Sequence, residues 1–188
     1  MDKQAIRSEM ESRRSSLSRQ EAEKFGLAAC NNLFSVSEFS SAERIGVYLS
    51  FGAELSTKPV IEKLLFLQKK VFVPVKDPSG PDGAMFFSQI FSESIYKKNV
   101  FGVDEPIEAQ PIDVSSLDAI IVPGIAFDLD GHRLGWGKGF YDRLFSVESV
   151  HALRIGYAFS FQVVAELPAE GHDQKMDLLV TDSDVTRF

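Results

Sequence analysis

The segment from Gly131 to Asp142 concentrates residue types that handle phosphate. Its alternating glycines can adopt positive φ and let the backbone approach a ligand closely; they are Gly135, Gly137 and Gly139. Successive backbone N–H groups in such a loop, followed by the start of a helix, favour an anion. Lys138 and Arg133 add positive charge, and Asp142 offers a hard oxygen for Mg²⁺. The spacing is compatible with phosphate binding and equally with a tight strand-to-helix turn whose charges are solvated.

The commoner phosphate motifs do not fit this loop. A P-loop ending at Lys138 would need a glycine where His132 stands and a hydroxyl residue in place of Gly139. A dinucleotide fingerprint starting at Gly135 would need a glycine in place of Phe140. The three histidines lack zinc-like spacing and are His132, His151 and His172. The segment is therefore a glycine-rich, cationic loop outside the standard motifs.

A buried strand is expected to position the loop. Residues 119–122 are entirely apolar and are bounded by Asp118 and Pro123, which suits a strand covered on both faces. A helix should start near Gly139 and carry Tyr141 on its first turn. Ligands of open α/β sheets bind at the carboxyl ends of such strands.

The rest of the chain alternates helical and extended patterns. Ser18 and Glu21 form a capping-box pattern before a helix. Residues 76–83 favour a loop or hairpin turn, and residues 99–111 an irregular segment. The strand–helix–strand order after residue 45 is typical of a parallel βαβ unit. Helices are expected at about residues 3–14, 19–34 and 59–68, and strands at 45–49, 71–73, 85–87, 152–156 and 178–180.

Composition limits the classes of function. A length of 188 residues suits one domain over residues 1–188. The net charge of −7 argues against a general nucleic-acid binder, which would need a basic face. Cys30 is the single cysteine, so no internal disulfide is possible and a reducing compartment is favoured. No apolar stretch is long enough to span a membrane, and the first residues do not resemble a secretory signal, so a cytoplasmic location is expected.

The segment from Pro123 to Asp142 closely resembles the signature of the 5-formyltetrahydrofolate cyclo-ligases, also called methenyltetrahydrofolate synthetases. It reads Pro-Gly-x-x-Phe-Asp, then Gly-x-Arg-Leu-Gly-x-Gly-Lys-Gly-Phe-Tyr-Asp. The resemblance extends over nearly the whole chain. Weaker matches are Lys3 to Arg7, Leu49 with Glu54, Gly102 to Pro106, and His172 to Asp177. Trp136 stands where the family is expected to have Tyr or Arg, which leaves the exact folate form less defined.

The resemblance implies a single α/β domain of three layers with a mostly parallel or mixed sheet, similar to isomerase and CoA-transferase scaffolds. It implies ATP- and Mg²⁺-dependent cyclisation of 5-formyltetrahydrofolate, with ATP as co-substrate and reduced folate as the other small-molecule partner. No protein, nucleic-acid or membrane partner is expected.

The implied site is carried over residue by residue. The catalytic residues would be Lys138 and Arg133. The ATP contacts would be Lys3, Gln4, Ala5, Ile6, Arg7, Arg133, Leu134, Gly135, Trp136, Gly137, Lys138, Gly139, Phe140 and Tyr141. The folate contacts would be Leu49, Glu54, Trp136, Gly137, Lys138, Gly139 and Phe140. The metal ligands would be Asp142 and Asp173.

Each assignment has an alternative without function. Arg133 could form a structural ion pair with Asp128 or Asp130, and Asp142 could stabilise the helix start. Tyr141 suits the core as well as a ligand contact. The whole chain could also be a non-catalytic nucleotide- or folate-binding protein, or a relative of sugar-phosphate isomerases or acyl-CoA transferases. ATP dependence discriminates among these readings.

Overall fold

The computed structural model describes residues 2–80, 84–99, 102–147, 150–168 and 173–188. The helices are α1 (Lys3–Ser15), α2 (Arg19–Ser35), α3 (Ser37–Ser41), α4 (Lys58–Phe66) and α5 (Phe140–Phe145). The strands are β1 (Arg44–Val47), β2 (Lys70–Lys76), β3 (Met85–Ile90), β4 (Tyr96–Lys98), β5 (Asp104–Pro106), β6 (Ala119–Val122), β7 (Ala126–Asp128), β8 (Arg133–Leu134), β9 (Leu153–Ala158), β10 (Val163–Val164), β11 (Leu178–Thr181) and β12 (Val185–Arg187).

A seven-stranded sheet forms the centre, in the order β12-β11-β9-β6-β1-β2-β3. Its five inner strands are parallel, and the two edge strands β3 and β12 pair antiparallel with their neighbours. A second sheet of three short strands has the order β10-β7-β8. The predicted α/β fold with a mostly parallel, mixed central sheet is confirmed.

Helices cover both faces of the central sheet because its strands are apolar on both sides. On β6, Ala119 and Ile121 pack with the cluster that includes α2, α3 and α4. Ile120 and Val122 point to the opposite face and pack with Tyr141 of α5. The alternation follows from the two-residue period of a strand. The prediction that residues 119–122 form a strand buried on both faces is therefore confirmed.

Helix α1 packs on the small sheet and not on the central one. Asp2 caps its first turn by accepting a hydrogen bond of 2.8 Å from the backbone N–H of Gln4. Ile6 and Met10 are spaced by four residues, share one face of the helix and pack against a cluster that includes Leu134 of β8. This packing places the basic residues of α1 beside the glycine-rich loop that follows β8.

Several elements differ from the sequence expectations. The capping box of Ser18 and Glu21 is confirmed, but part of the segment expected to be irregular forms strand β5, which pairs with β4. Strands β8, β10 and β12 were not expected. They have only two or three residues, too few to show an alternating pattern. Residues 81–83 of the expected loop, residues 100–101 and His172 lie outside the described residues. Within the part of the chain that is described, no helix is both long and apolar enough to cross a membrane.

Phe127 fixes the small sheet against the central sheet because glycines leave room for its ring. The ring is fully buried, and a Cβ at Gly156 of β9 would lie only 2.6 Å from its Cε1 atom. A Cβ at Gly124 would lie 2.5 Å from its Cζ atom. By contrast, a Cβ at Gly26 of α2 would meet only Ser56, at an ordinary distance of 3.6 Å.

Two alanine substitutions should therefore change stability in opposite directions. Gly156→Ala should lower the free energy of unfolding by about 1–3 kcal/mol, because it overpacks the Phe127 ring. Gly26→Ala should raise it by about 0.5–1 kcal/mol, because alanine favours a helix interior and has room there. Urea unfolding of the two variants and the parent chain, with unchanged m-values, measures both effects. A stabilising Gly156→Ala would contradict the packing argument.

Candidate active site

A cavity of about 280 Å³ opens where the inner strands end. Leu49 follows β1, Pro123 follows β6, and Lys76 ends β2, and all three line the cavity. The cavity is near the lower end of the ~300–1,000 Å³ that is usual for small-molecule sites. Its place at the carboxyl ends of parallel strands is where open α/β sheets bind ligands.

The glycine-rich loop forms one wall of this cavity. Gly137 has φ +88° and Gly139 has φ +64°, conformations that favour glycine. Arg7 of α1 holds the loop, because its Nε and Nη2 atoms each donate to the carbonyl oxygen of Gly135 at 3.1 Å. Lys138 is exposed at the tip of the loop and also lines the cavity. This wall therefore presents backbone groups and two cationic side chains, Arg7 and Lys138, to the cavity.

Arg133 forms a partly buried ion pair with Asp142, whose side chain is 24% exposed. Its Nη2 atom donates to both carboxylate oxygens, at 3.0 and 3.1 Å, and its side chain is only 7% exposed. The guanidinium carbon lies 5.5 Å from the ring centroid of Tyr141. Among the described residues, its Nε atom has no hydrogen-bond acceptor. The structural partner of Arg133 is therefore Asp142 and not Asp128 or Asp130, so the suggested pairing with those residues was wrong.

Asp128 instead anchors the turn between β7 and β8. Its buried carboxylate accepts hydrogen bonds from the backbone of Asp130, His132 and Leu167, at 2.9 to 3.0 Å, and from the His132 ring at 3.0 Å. Burial acts to raise the pKa of Asp128, but the hydrogen bonds from Leu167 and His132 outweigh it and hold the pKa below its usual value. This carboxylate ties two lining segments of the cavity together.

The carboxylates at the cavity suit a magnesium ion that arrives with phosphate. Asp142 and Asp173 both line it. The described residues contain no group of three or more Cys, His, Asp or Glu side chains that would form a closed metal site. Mg²⁺ usually takes one or two carboxylates together with waters and substrate phosphates. Asp142 retains acceptor capacity beyond its bonds to Arg133, because a carboxylate has about four lone-pair sites. The donor set therefore fits.

Glu54 lines the same cavity after β1 and is partly buried. Its Oε2 atom accepts a hydrogen bond of 3.1 Å from the backbone N–H of Phe51. Burial raises the pKa of Glu54 to about 7, against the opposing effects of the Phe51 N–H and the Arg14 guanidinium. A carboxyl group poised near neutrality in a cavity is a candidate functional group.

The structure brings together most of the expected site residues. Those that line the cavity are Lys3, Arg7, Leu49, Glu54, Asp173 and all of residues 133–142. Tyr141 combines both of its expected roles, since it also packs in the core. Three expected ATP contacts lie off the cavity wall: Gln4 and Ala5 are exposed, and Ile6 is buried in the cluster beneath α1.

Two residues were missed as components of the site. Glu105 was included in the sequence analysis only within the weaker family match from Gly102 to Pro106. It lines the cavity edge, and its Oε1 atom accepts hydrogen bonds from the Lys76 backbone and the Asn99 side chain, both at 3.0 Å. Arg14 lies beneath Trp136. Its position four residues after Met10, on the apolar face of α1, is the signal that would have revealed it.

A cationic loop, a pair of carboxylates and a poised glutamate around one cavity define an α/β enzyme for small molecules. The comparisons with known proteins specify the class. A sequence model of the 5-formyltetrahydrofolate cyclo-ligase family matches residues 1–182. The 5-formyltetrahydrofolate cyclo-ligase of Escherichia coli K12 is 34% identical over 176 residues, which cover 92% of this chain and 96% of the relative. The Haemophilus influenzae protein of that name is 32% identical over 182 residues, with 95% and 97% covered.

Solved structures agree with this assignment. The NMR structure of Aquifex aeolicus 5,10-methenyltetrahydrofolate synthetase superposes with a TM-score of 0.85 at 33% identity. The alignment covers 100% of this chain and 93% of that one. This chain therefore belongs to the 5-formyltetrahydrofolate cyclo-ligase family, and it is a ligase.

Replacement of Glu54 by Gln should change how stability depends on pH. Burial raises the pKa of Glu54 from 4.5 to about 7, so the folded chain keeps a proton that the unfolded chain has lost between these values. The stability of the parent chain therefore falls as the pH rises through this window. Glu54→Gln should be more stable than the parent by roughly 2–3 kcal/mol at pH 8 and equal to it near pH 4.5.

Urea unfolding at several pH values measures this difference. Glu11→Gln, at an exposed position of α1, serves as the control and should track the parent chain throughout. Parallel stability curves for Glu54→Gln and the parent would rule out a raised pKa at Glu54.

Proposed function

We propose that this chain uses ATP and Mg²⁺ to convert 5-formyltetrahydrofolate to 5,10-methenyltetrahydrofolate, ADP and phosphate. The observation that carries the proposal is the arrangement of one cavity. The cationic loop with Lys138, the Arg133–Asp142 pair and Glu54 all line it. Membership of the cyclo-ligase family supports the same reaction.

The chemistry needs an activated formyl group, because a formamide oxygen is a poor leaving group. The formyl oxygen attacks the γ-phosphorus of ATP, the bond to the bridging oxygen breaks, and ADP leaves. The N10 nitrogen of the folate then attacks the phosphorylated formyl carbon and loses its proton. The carbon–oxygen bond breaks, phosphate leaves with the bonding electrons, and the N5–C–N10 bridge carries the positive charge of the methenyl product.

Phosphoryl transfer depends mainly on positioning and on neutralising charge. In this proposal Lys138 and the loop backbone contact the transferred phosphate, and Arg133 faces it from the base of the loop. Lys3 and Arg7 lie on the first turns of α1 at the same cavity and contact the remainder of ATP. Asp142 and Asp173 would hold a bound Mg²⁺, which would supply positive charge to neutralise the phosphate.

The folate occupies the wall that follows β1. The carboxylate of Glu54 accepts hydrogen bonds from the N–H groups of the pterin, and Leu49 supplies apolar contact beside it. Trp136 is 50% exposed at the cavity, so its ring offers an apolar face to an aromatic ligand. These assignments put the formyl group between Glu54 and the glycine-rich loop.

Purified protein incubated with 5-formyltetrahydrofolate, ATP and Mg²⁺ should form the methenyl product, measured by its near-ultraviolet absorbance. Lys138→Ala should lower turnover by roughly 10²–10³-fold, the scale for loss of a preorganised electrostatic group. Its thermal midpoint should stay close to that of the parent, because an exposed loop lysine contributes little to folding. Lys24→Ala, at an exposed position of α2, is the control and should retain full turnover.

The outcomes separate the possible functions. Tight ATP and folate binding without product would support a non-catalytic binding protein. Turnover of a sugar phosphate or an acyl-CoA without ATP would point to the other scaffold relatives. Full turnover of Lys138→Ala would remove that residue from the mechanism.

The metal assignment predicts a change in Mg²⁺ dependence. Asp142→Asn and Asp173→Asn should each raise the Mg²⁺ concentration for half-maximal turnover, because Asn keeps one oxygen but removes the charge that a hard cation prefers. Asp113→Asn, an exposed position away from the cavity, is the matched control. If Asp142 only orients Arg133, its variant will lose turnover at every Mg²⁺ concentration with an unchanged half-saturation point.

A further inference from the structure

Arg14 is a buried cation that the proposed mechanism leaves unused. It lies near the end of α1, on the face that carries Ile6 and Met10, and is 6% exposed. Its Nε atom has no hydrogen-bond acceptor among the residues that the structure describes. Burial of a charged group without full hydrogen bonding is costly. The position therefore calls for a compensating role.

Arg14 lies directly behind Trp136. Its guanidinium carbon is 5.8 Å from the centre of the Trp136 ring, within the range of a cation–π contact. Trp136 lines the cavity, whereas Arg14 does not. The flanking residues Gly135 and Gly137 have no side chains with which to hold the indole. Arg14 thus supports the ring from the side that faces away from the ligand.

Arg14 also acts on Glu54 and Tyr48, two residues that line the cavity after β1. Burial raises the pKa of Glu54, and the positive charge of Arg14 opposes this effect. Tyr48 shows the same balance, with its pKa raised by burial and by Glu54 and lowered by Arg14. Tyr141 is the other titratable group coupled to Glu54, and burial keeps this phenol neutral by raising its pKa. Arg14 is therefore the cation whose charge reaches Glu54.

We propose that Arg14 is a positioning residue for the folate, which orients Trp136 from behind and presents a positive charge to Glu54. The inference rests on the proposed cyclisation of a reduced folate in this cavity. A flat pterin with N–H groups along one edge needs an apolar ring against its face and a carboxylate at that edge. Arg14 supports both the Trp136 ring and the Glu54 carboxylate, and it does so without contacting the substrate.

The test uses three variants and a built-in reporter. Arg14→Met removes the charge but keeps an unbranched, apolar side chain, and Arg14→Lys keeps the charge without the planar guanidinium. Arg13→Met is the matched control, because Arg13 also stacks on an aromatic ring, Phe161, at 4.8 Å, but does so outside the cavity. Trp136 is the single tryptophan of the chain, so intrinsic fluorescence reports on that ring alone.

In Arg14→Met, acrylamide should quench Trp136 more strongly. The dissociation constant and the KM for 5-formyltetrahydrofolate should rise by about 3- to 10-fold, the scale of one partly desolvated cation–π contact. The KM for ATP should change by less than about twofold, because uniform binding is lost only for the folate.

The pH at which folate affinity is half lost should move upward in Arg14→Met, because the positive charge that keeps Glu54 ionised is gone. Arg14→Lys should keep this pH close to that of the parent, and Arg13→Met should leave all five quantities unchanged.

An unchanged folate dissociation constant and unchanged quenching in Arg14→Met would overturn the proposal. Equal losses of folate and ATP affinity, with a lower thermal midpoint and an unshifted pH profile, would also overturn it and assign Arg14 a purely structural role. Folate binding is followed by fluorescence without ATP, so the result does not depend on turnover. A parent chain that binds folate but forms no methenyl product would refute the proposed function and leave this test intact. A parent chain that does not bind folate would refute both.

Discussion

The partly buried ion pair between Arg133 and Asp142 closes the glycine-rich loop at its base. Every residue from 134 to 141 lies between its two partners, so the pair fixes the span that the loop must bridge. Removal of the Asp142 carboxylate would leave the Arg133 guanidinium, whose side chain is only 7% exposed, without its charged partner, which is destabilising. The loop backbone, Lys138 at its tip and the first turn of α5 all take their positions from this constraint. Arg7, which holds the Gly135 carbonyl from α1, ties the same loop to the first helix.

The cavity has a charge balance unlike that of the whole chain. The protein carries a net charge of −7, but the glycine-rich loop and the start of α1 bring Lys3, Arg7, Arg133 and Lys138 to the cavity. A local excess of cations in a concave site concentrates field lines and attracts anionic ligands. After β1, Glu54 is partly withdrawn from water, and burial raises its pKa to about 7. One cavity thus offers two chemically distinct halves, one suited to phosphate and the other to an uncharged ring edge with N–H donors.

The sequence predicted the parts of this arrangement that depend on local pattern. The apolar run at 119–122, the capping box at Ser18 and the glycine loop all have signals within a few residues, and each appears in the structure. The parts that depend on distant packing were not predictable in the same way. Arg133 pairs with Asp142 because α5 brings that carboxylate next to the guanidinium. Asp128 instead accepts hydrogen bonds from backbone N–H groups, including that of Leu167. Arg14 was overlooked because a charge on a polar helix is usually solvated.

The contact between α1 and the loop joins residues that are 128 positions apart in the chain. At a synthesis rate of about 5–20 residues per second, roughly 6–26 s pass between the appearance of Arg7 and that of its partner. During this interval the apolar face of α1, with Ile6 and Met10, lacks its native packing partners, which are Ile125, Ala126, Leu134 and Leu167. The nascent polypeptide must therefore keep its first helix exposed or shielded by other factors until the strand that carries Leu134 emerges. Completion of the binding cavity is consequently a late event in the biogenesis of this protein.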